Sequence, residues 1–326
     1  MVKQLIIMKK LFTLLAVIIT FSLNAQVATN GTNNSGIDAS AIGKEAIASG
    51  LFTTAMGYAT NAVGAGSVAM GWVTYANGSR SVAMGFGTIA GGEQSTAMGH
   101  DSKASGLNST AMGFDTEASG SYSSAIGRET LASGYASLAL GYKSVASGGA
   151  SSTMGYQTIS SDYGSLVIGQ NNLSGSTVTS SGTNFNTLNT AFVIGNGNTS
   201  NAKSDAFKVK FNGDTTISND LTVGGDIVVS SDARLKANIV SLGSTLAKLL
   251  LIDGKSYTMK KDGKQKIGVL AQEIQTVFPE LVTTDDKDML AVNYQGLVPV
   301  LINAIKEQDD KISRLENLVE KLISDK

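Results

Sequence analysis

Residues 81–106 read SVAMGFGTIAGGEQSTAMGHDSKASG, and the glycines at 85, 92, 99 and 106 recur at every seventh position. The wider chain keeps that interval. Glycine stands at 43, 57, 71, 85, 99, 113, 127, 141, 155 and 169, fourteen apart through ten copies, and a second set from Gly50 to Gly148 halves the spacing until Asp162 breaks it. A period kept this strictly marks stacked identical units. A heptad can also signal a coiled coil, but glycine at every seventh residue would cost a helix about 1 kcal/mol per copy relative to alanine. Runs such as SVAMG and STAMG alternate as strands do, and each ends on a glycine able to take the positive φ of a turn. Each fourteen-residue unit therefore reads as one coil of a β-solenoid, with two short strands and two turns. At about 4.8 Å per coil, ten coils make a rod of about 48 Å. No proline occurs between residues 26 and 278, which suits a ladder that needs nearly every backbone N–H.

Ile42, Met56, Met70, Met84, Met98, Met112, Ile126, Leu140, Met154 and Ile168 precede the first glycine set. One place earlier, on the opposite strand face, stands a row of alanines from Ala41 to Ala139, continued by Thr153 and Val167. The small face fills a very thin roll. The other face is a long apolar stripe of a kind soluble monomers avoid, so neighbouring chains are expected to cover it; a monomeric roll with a wide interior is the alternative. The pattern S-x-A-hydrophobic-G, in SVAMG, STAMG and SSAIG, closely resembles the head repeats of trimeric autotransporter adhesins (YadA-like heads). That resemblance spans residues 37–169 and returns in AFVIGNG (191–197). It implies a left-handed parallel β-roll that is stable only as a homotrimer. Where that family carries a membrane-anchoring β-barrel, this chain carries a charged segment of another kind.

The opening MVKQLIIMKKLFTLLAVIITFSLNAQ places Lys9 and Lys10 before an apolar run from Leu11 to Leu23 and a small residue at Ala25. This is the layout of a secretory signal over residues 1–25, cut before Gln26, with Met8 as a second candidate start. The run falls short of the roughly 20 apolar residues of a membrane span, so the mature chain is expected to have none. A short lead-in, 26–36, follows. The chain has no cysteine, hence neither a disulfide nor a lipidated cysteine to anchor it. A formal net charge of −1 gives no electrostatic reason to expect nucleic acid.

Residues 170–230 read as a polar insertion, NNLSGSTVTSSGTNFNTLNT (171–190), and a β-stranded neck. In FKVKFNGDTTISNDLTVGGDIVVS (207–230) apolar and polar residues alternate, with turn signals at Asn212-Gly213 and Gly224-Gly225. So little room for a private core suggests intertwined chains, as in the stalk strands of phage tail fibres. Charge then rises sharply: residues 26–200 hold 13 charged side chains, whereas the 96 residues from Ser231 onward hold 28. A separate domain, 231–326, is expected there. Within it, IGVLAQEIQTVFPELV (267–282) reads as a helix stopped by Pro279. Leu301, Ile305, Ile312, Leu315, Val319 and Leu322 keep a and d spacing, with Gln308 the one polar member, in a coiled coil over about 298–324. A single amphipathic helix on its own core is the alternative.

Three stretches coincide: SDARLKANI (231–239), IGVLAQEIQTVFPELV and LAVNYQGLVPVLINAIKEQ (290–308). Together they resemble the C-terminal intramolecular chaperone of phage endosialidases and other tail spikes, a self-cleaving peptidase family. The resemblance implies an α+β domain that brings three chains together, templates the fibre and cuts itself off.

The chemistry of VSSDARLKANI (229–239) also follows from its residues. The Ser231 hydroxyl adjoins the Ser230 carbonyl and can attack it, giving an ester that water opens. Serine needs a base for this. The one histidine, His100, stands in a repeat turn far away in sequence, so Lys236 is the local candidate, provided burial or nearby positive charge leaves it neutral. Arg234 is placed to supply such charge or to steady an oxyanion. Asp232 would oppose it by pairing with Lys236, or else order the turn. Asn238 completes the supporting set. A turn with a solvated charged face is the bland alternative.

The fold class is thus mainly β: a solenoid head, a stranded neck and an α+β chaperone domain ending in a long helix. The function expected is an exported fibre or adhesin-like protein at the cell surface or outside it, with a host-surface or glycan ligand as the candidate partner. Its only enzymology would be self-cleavage in cis. The alternatives are a tail-spike-like fibre that binds or degrades polysaccharide, or an uncleaved trimerisation cap. Degradation needs grouped carboxylates, and the repeats offer scattered ones such as Asp101, Asp115 and Glu117. No column of threonines makes an ice-binding face. No cofactor or metal is expected: Gly195-x-Gly197 is too short for a phosphate loop, and Asp285, Asp286 and Asp288 read as a solvated loop.

Overall fold

A computed structural model describes residues 31–284 and 288–325. The predicted secretory signal, Asp285 and Asp286 lie outside these residues. The chain divides between Gly224 and Gly225, so the last residues assigned to the neck go with the C-terminal unit. Each unit is described by itself.

In the first unit each coil from Ser40 to Ser160 contributes a five-residue strand and a two-residue strand. Ten long strands, from Ser40–Lys44 to Leu166–Gln170, stack in parallel. Partners lie one period apart without slip, as in Ala83↔Ala97, Met84↔Met98 and Gly85↔Gly99. The short strands, from Ile47–Ala48 to Ile159–Ser160, make a nine-stranded sheet of their own. Between the two sheets the alanines, among them Ala83, Ala90, Ala97 and Ala104, are wholly buried. A serine or threonine at every seventh residue joins them, and the hydroxyls of Ser95, Ser109 and Ser123 donate to the carbonyls of Gly92, Gly106 and Gly120 at 2.6–2.7 Å. These three find partners in the turn just before them, whereas the buried hydroxyls of Thr60, Ser67, Thr74, Ser81, Thr88 and Thr130 in the same column have none among the described residues.

Both glycine sets are needed for space: a Cβ at Gly85 would stand 2.0 Å from the Gly99 oxygen of the next coil, and one at Gly78 would stand 1.9 Å from the Gly92 oxygen. Gly85 alone of the two also has a positive φ, 123, within its strand. The left-handed turn positions are filled mostly by other residues, including Val73 (φ 55), Arg80 (φ 57) and Asp101 (φ 51).

The outward face of the long-strand sheet carries the methionine column, half-exposed, with Met112 at 37%. Beside it runs a column that sequence reading missed: Lys44, Tyr58, Trp72, Phe86, His100, Phe114, Arg128, Tyr142 and Tyr156. Tyr58 stacks on Trp72 at 4.3 Å, and His100 lies between Phe86 and Phe114 at 4.7 and 4.9 Å. The Arg128 guanidinium sits between Phe114 and Tyr142 at 5.3 and 5.5 Å. His100 is therefore the last residue of the strand Thr96–His100 and not a turn residue, and Lys103 opens a short strand.

The insertion leaves the ladder and rejoins it in phase. Strand Thr190–Asn196 pairs in parallel with Leu166–Gln170, setting Val193, Ile194 and Gly195 on Val167, Ile168 and Gly169. Asp162, which broke the glycine series, is fully buried, and its carboxylate accepts N–H bonds from Thr179 at 2.6 Å and Thr190 at 2.7 Å. Asn172 caps the short-strand sheet: its amide accepts from Ile159 N–H at 2.8 Å and donates to Ile159 O at 2.9 Å, standing in for the next strand. Antiparallel strands Asp205–Lys210 and Thr215–Ile217 follow around Asn212-Gly213. Strand structure ends there, short of the expectation for 207–230. In one chain nothing covers the alternating apolar residues beyond it, and Val228 is 88% exposed.

The C-terminal unit contains α1 (Leu246–Leu249), the hairpin of Lys255–Thr258 with Gln265–Gly268, α2 (Ala271–Val277), the paired strands Val282–Thr284 and Leu290–Val292, and α3 (Leu297–Ser324). The helix expected over 267–282 is shorter, because its first residues belong to the hairpin, and it stops before Pro279. Ile274, Phe278 and Val300 form a small core with Leu249, Val269 and Val292 against it. Pro299 sits in the first turn of α3, where its missing N–H costs nothing. The a and d residues of α3 are exposed, Ile305 at 65%. Among the described residues no helix is long and apolar enough to cross a membrane.

Candidate functional site

The stretch 230–239 is exposed and turns once. Asp232 caps a single 3-10 turn, Ala233–Leu235, by accepting the Arg234 N–H at 2.8 Å, and the Lys236 N–H closes on the Ala233 carbonyl at 3.0 Å. An aspartate at an N-cap offers the side-chain acceptor that such turns lack from the backbone. The closed turn sets Lys236 Nζ 2.7 Å from Ser231 Oγ, with the lysine as donor. A five-residue separation thus becomes a direct contact.

The charges beside this pair are already spent. Arg234 forks onto Asp232, Nη2 to Oδ2 at 2.7 Å and Nε to Oδ1 at 3.1 Å. The Arg234 side chain holds the Asp232 carboxyl below its ordinary range, and Asp232 holds the guanidinium above its own. Of the two roles open to Asp232, the turn-ordering one is what the geometry contains. Arg234 is tied to a counter-ion and brings no uncompensated charge to Lys236. Asn238 adopts a left-handed backbone, φ 52, which asparagine tolerates.

The other candidates have partners of their own. His100 is a rung of the stacked column. Gly197 is engaged at the end of the head, its carbonyl accepting from Gln170 at 3.0 Å and from Asn171 at 3.1 Å. Among the described residues no group of three or more His, Cys, Asp and Glu is placed to hold a metal. A feature without any local sequence signal is Glu307 on α3, whose carboxylate accepts from Ser244 Oγ at 2.6 Å and from the Leu246 N–H at 3.1 Å.

Comparison with known proteins gives two separate family matches. The YadA head domain repeat matches in overlapping copies from residue 35 to residue 153. The chaperone of endosialidase matches residues 231–283, beginning on Ser231. Among curated proteins, the long tail fiber protein Gp37 of Escherichia phage AR1 is 36% identical over 92 residues, 25% of this chain and 8% of the relative. That of Salmonella phage S16 is 32% identical over 108 residues, 30% of this chain and 14% of the relative. That of Enterobacteria phage M1 is 29% identical over 101 residues, 28% and 40%. The chain thus spans less than half the length of these relatives.

Proposed function

We propose that this chain, which joins YadA-type head repeats to an endosialidase-type chaperone domain, is an exported homotrimeric fibre or adhesin-like surface protein. Its C-terminal domain brings three copies together and then releases itself by cleavage between Ser230 and Ser231. The observation that carries the reading is the 2.7 Å contact of Lys236 Nζ with Ser231 Oγ. The contact lies on the residue where the chaperone match begins.

Trimerisation is supported by what a single chain leaves uncovered. The interior of the head buries alanine methyls, worth about 0.8 kcal/mol each, while covering a methionine or leucine fully contributes about 1.5–3 kcal/mol. The methionine column and the a and d stripe of α3 both wait for that cover. Like the tail fibres it resembles in part, the protein would work at a cell surface or outside the cell, presenting its turns to a host-surface or glycan ligand.

In the cleavage step, Ser231 Oγ bonds to the Ser230 carbonyl carbon as that carbon's bond to the Ser231 nitrogen breaks. The hydroxyl proton passes through Lys236 to the freed amine. Water then hydrolyses the ester, leaving a carboxylate on Ser230 and restoring the Ser231 hydroxyl. Lys236 must accept a proton to begin this, yet in the single chain it is exposed and donates. Burial disfavours the charged amine, so covering of the turn by partner chains would switch the base on, and cleavage would follow assembly. Ser231→Ala and Lys236→Ala test this: the first should abolish cleavage and the second slow it about 100-fold or more, both leaving trimers. Cleavage at the same bond in Ser231→Ala would refute the mechanism.

A further inference from the structure

The first turns of α3 have two working faces. Val300 and Ala304 are buried against their own domain, while Leu301 and Ile305 are exposed on the seam stripe. Glu307 continues the domain-facing row at the i, i+4, i+7 spacing of one helical face. Its carboxylate gathers the stretch 244–246: Oε2 accepts from Ser244 Oγ at 2.6 Å, and Oε1 from the N–H groups of Thr245 and, at 3.1 Å, Leu246. Thr245 is itself buried and donates its hydroxyl to the Val300 carbonyl at 3.0 Å. Between Lys236 and Ser244 the chain is exposed and has no helix or strand. Ser244–Leu246 is thus the first stretch after the dyad turn, among the described residues, that bonds to the body of the domain.

We propose that Glu307 is a positioning residue for self-cleavage: it ties the segment that carries Ser231 and Lys236 to the helix whose opposite face forms the seam between chains. Assembly fixes α3, α3 fixes the start of α1 through Glu307, and the dyad segment then leaves the domain from a defined point. The inference rests on the self-cleavage reading. The Ser244 hydroxyl, followed by the Thr245 amide, holds the Glu307 carboxyl below the usual glutamate range. A depressed carboxyl gives its contribution in full above the unfolded value and loses it as pH falls through the folded one, so the tie is complete at neutral pH.

The test uses the full chain and follows cleavage by denaturing gel beside trimer content by sedimentation. Glu307→Ala keeps Leu301 and Ile305, so it should assemble, and its cleavage should slow about 10- to 100-fold, the range expected when reacting groups are held loosely. Glu307→Gln keeps one carbonyl acceptor and should recover part of the rate, a graded rescue that loss of packing would not give. A Glu307→Ala trimer that cleaves as fast as wild type overturns the inference alone. A wild-type trimer that never cleaves overturns the self-cleavage reading and this inference with it. If Glu307→Ala fails to assemble, Ser244→Ala decides: slower cleavage in its trimer supports the tie, and an unchanged rate overturns it.

Discussion

The backbone N–H of Thr190 donates to the buried carboxylate of Asp162 at 2.7 Å, a bond that spans the whole insertion. The same carboxylate holds Thr179, so one side chain fixes both the middle of the inserted loop and its return to the ladder. Replacing Asp162 with the glycine of the repeat is therefore expected to harm the protein, although it perfects the sequence period. Two hydrogen bonds to a carboxylate would go, one buried and one partly buried, at about 1.5–3 kcal/mol each. Asp162→Gly should open residues 171–189 to proteolysis while the coils before it stay protected, and unchanged digestion would contradict this role.

A second contrast concerns the turns. Gly78→Ala would press a Cβ to 1.9 Å from the Gly92 oxygen, and overpacking of this kind costs about 1–3 kcal/mol or more. Val73 holds φ 55 with a branched side chain, a conformation that costs a residue with a Cβ about 1–2 kcal/mol. Val73→Gly should accordingly raise the midpoint of chemical denaturation of the head, and Gly78→Ala should lower it. Equal shifts would mean that the strain at Val73 or the close approach at Gly78 is misassigned.

The proposed association surface yields a third. Met98 stands in the outward column between Met84 and Met112, whereas Lys103 lies exposed on the short-strand sheet beside Ile89 and Glu117. An uncompensated carboxylate buried between chains costs several kcal/mol, so Met98→Asp should weaken trimerisation at least about 100-fold in sedimentation equilibrium. Lys103→Asp should leave it within about threefold. Equal effects would place the interface elsewhere.

The solenoid was legible because stacking forces a physical repeat onto the chain: Ala83 and Ala97 must meet, so their spacing is fixed. The column after the glycine escaped notice because Lys44, Tyr58, His100 and Arg128 share no hydropathy. What they share is a flat face or a cation above one, and only the stacked geometry exposes it. The contact of Lys236 with Ser231 was readable because both belong to one local turn, whereas the two readings of Asp232 separate only in the folded geometry. Glu307 meets Thr245 across 62 residues, a distance at which no spacing rule operates. The neck was over-read beyond Ile217 because its alternation describes a surface that a single chain does not bury.

Mass spectrometry of the purified protein under native and denaturing conditions reads subunit number and cleavage in one experiment. The expected result is a native assembly of three chains ending at Ser230, and a separate species beginning at Ser231. Denaturing spectra should contain those two masses in wild type and the uncut chain in Ser231→Ala. A stable folded monomer would contradict the trimer, and a native trimer of uncut wild-type chains would contradict the cleavage.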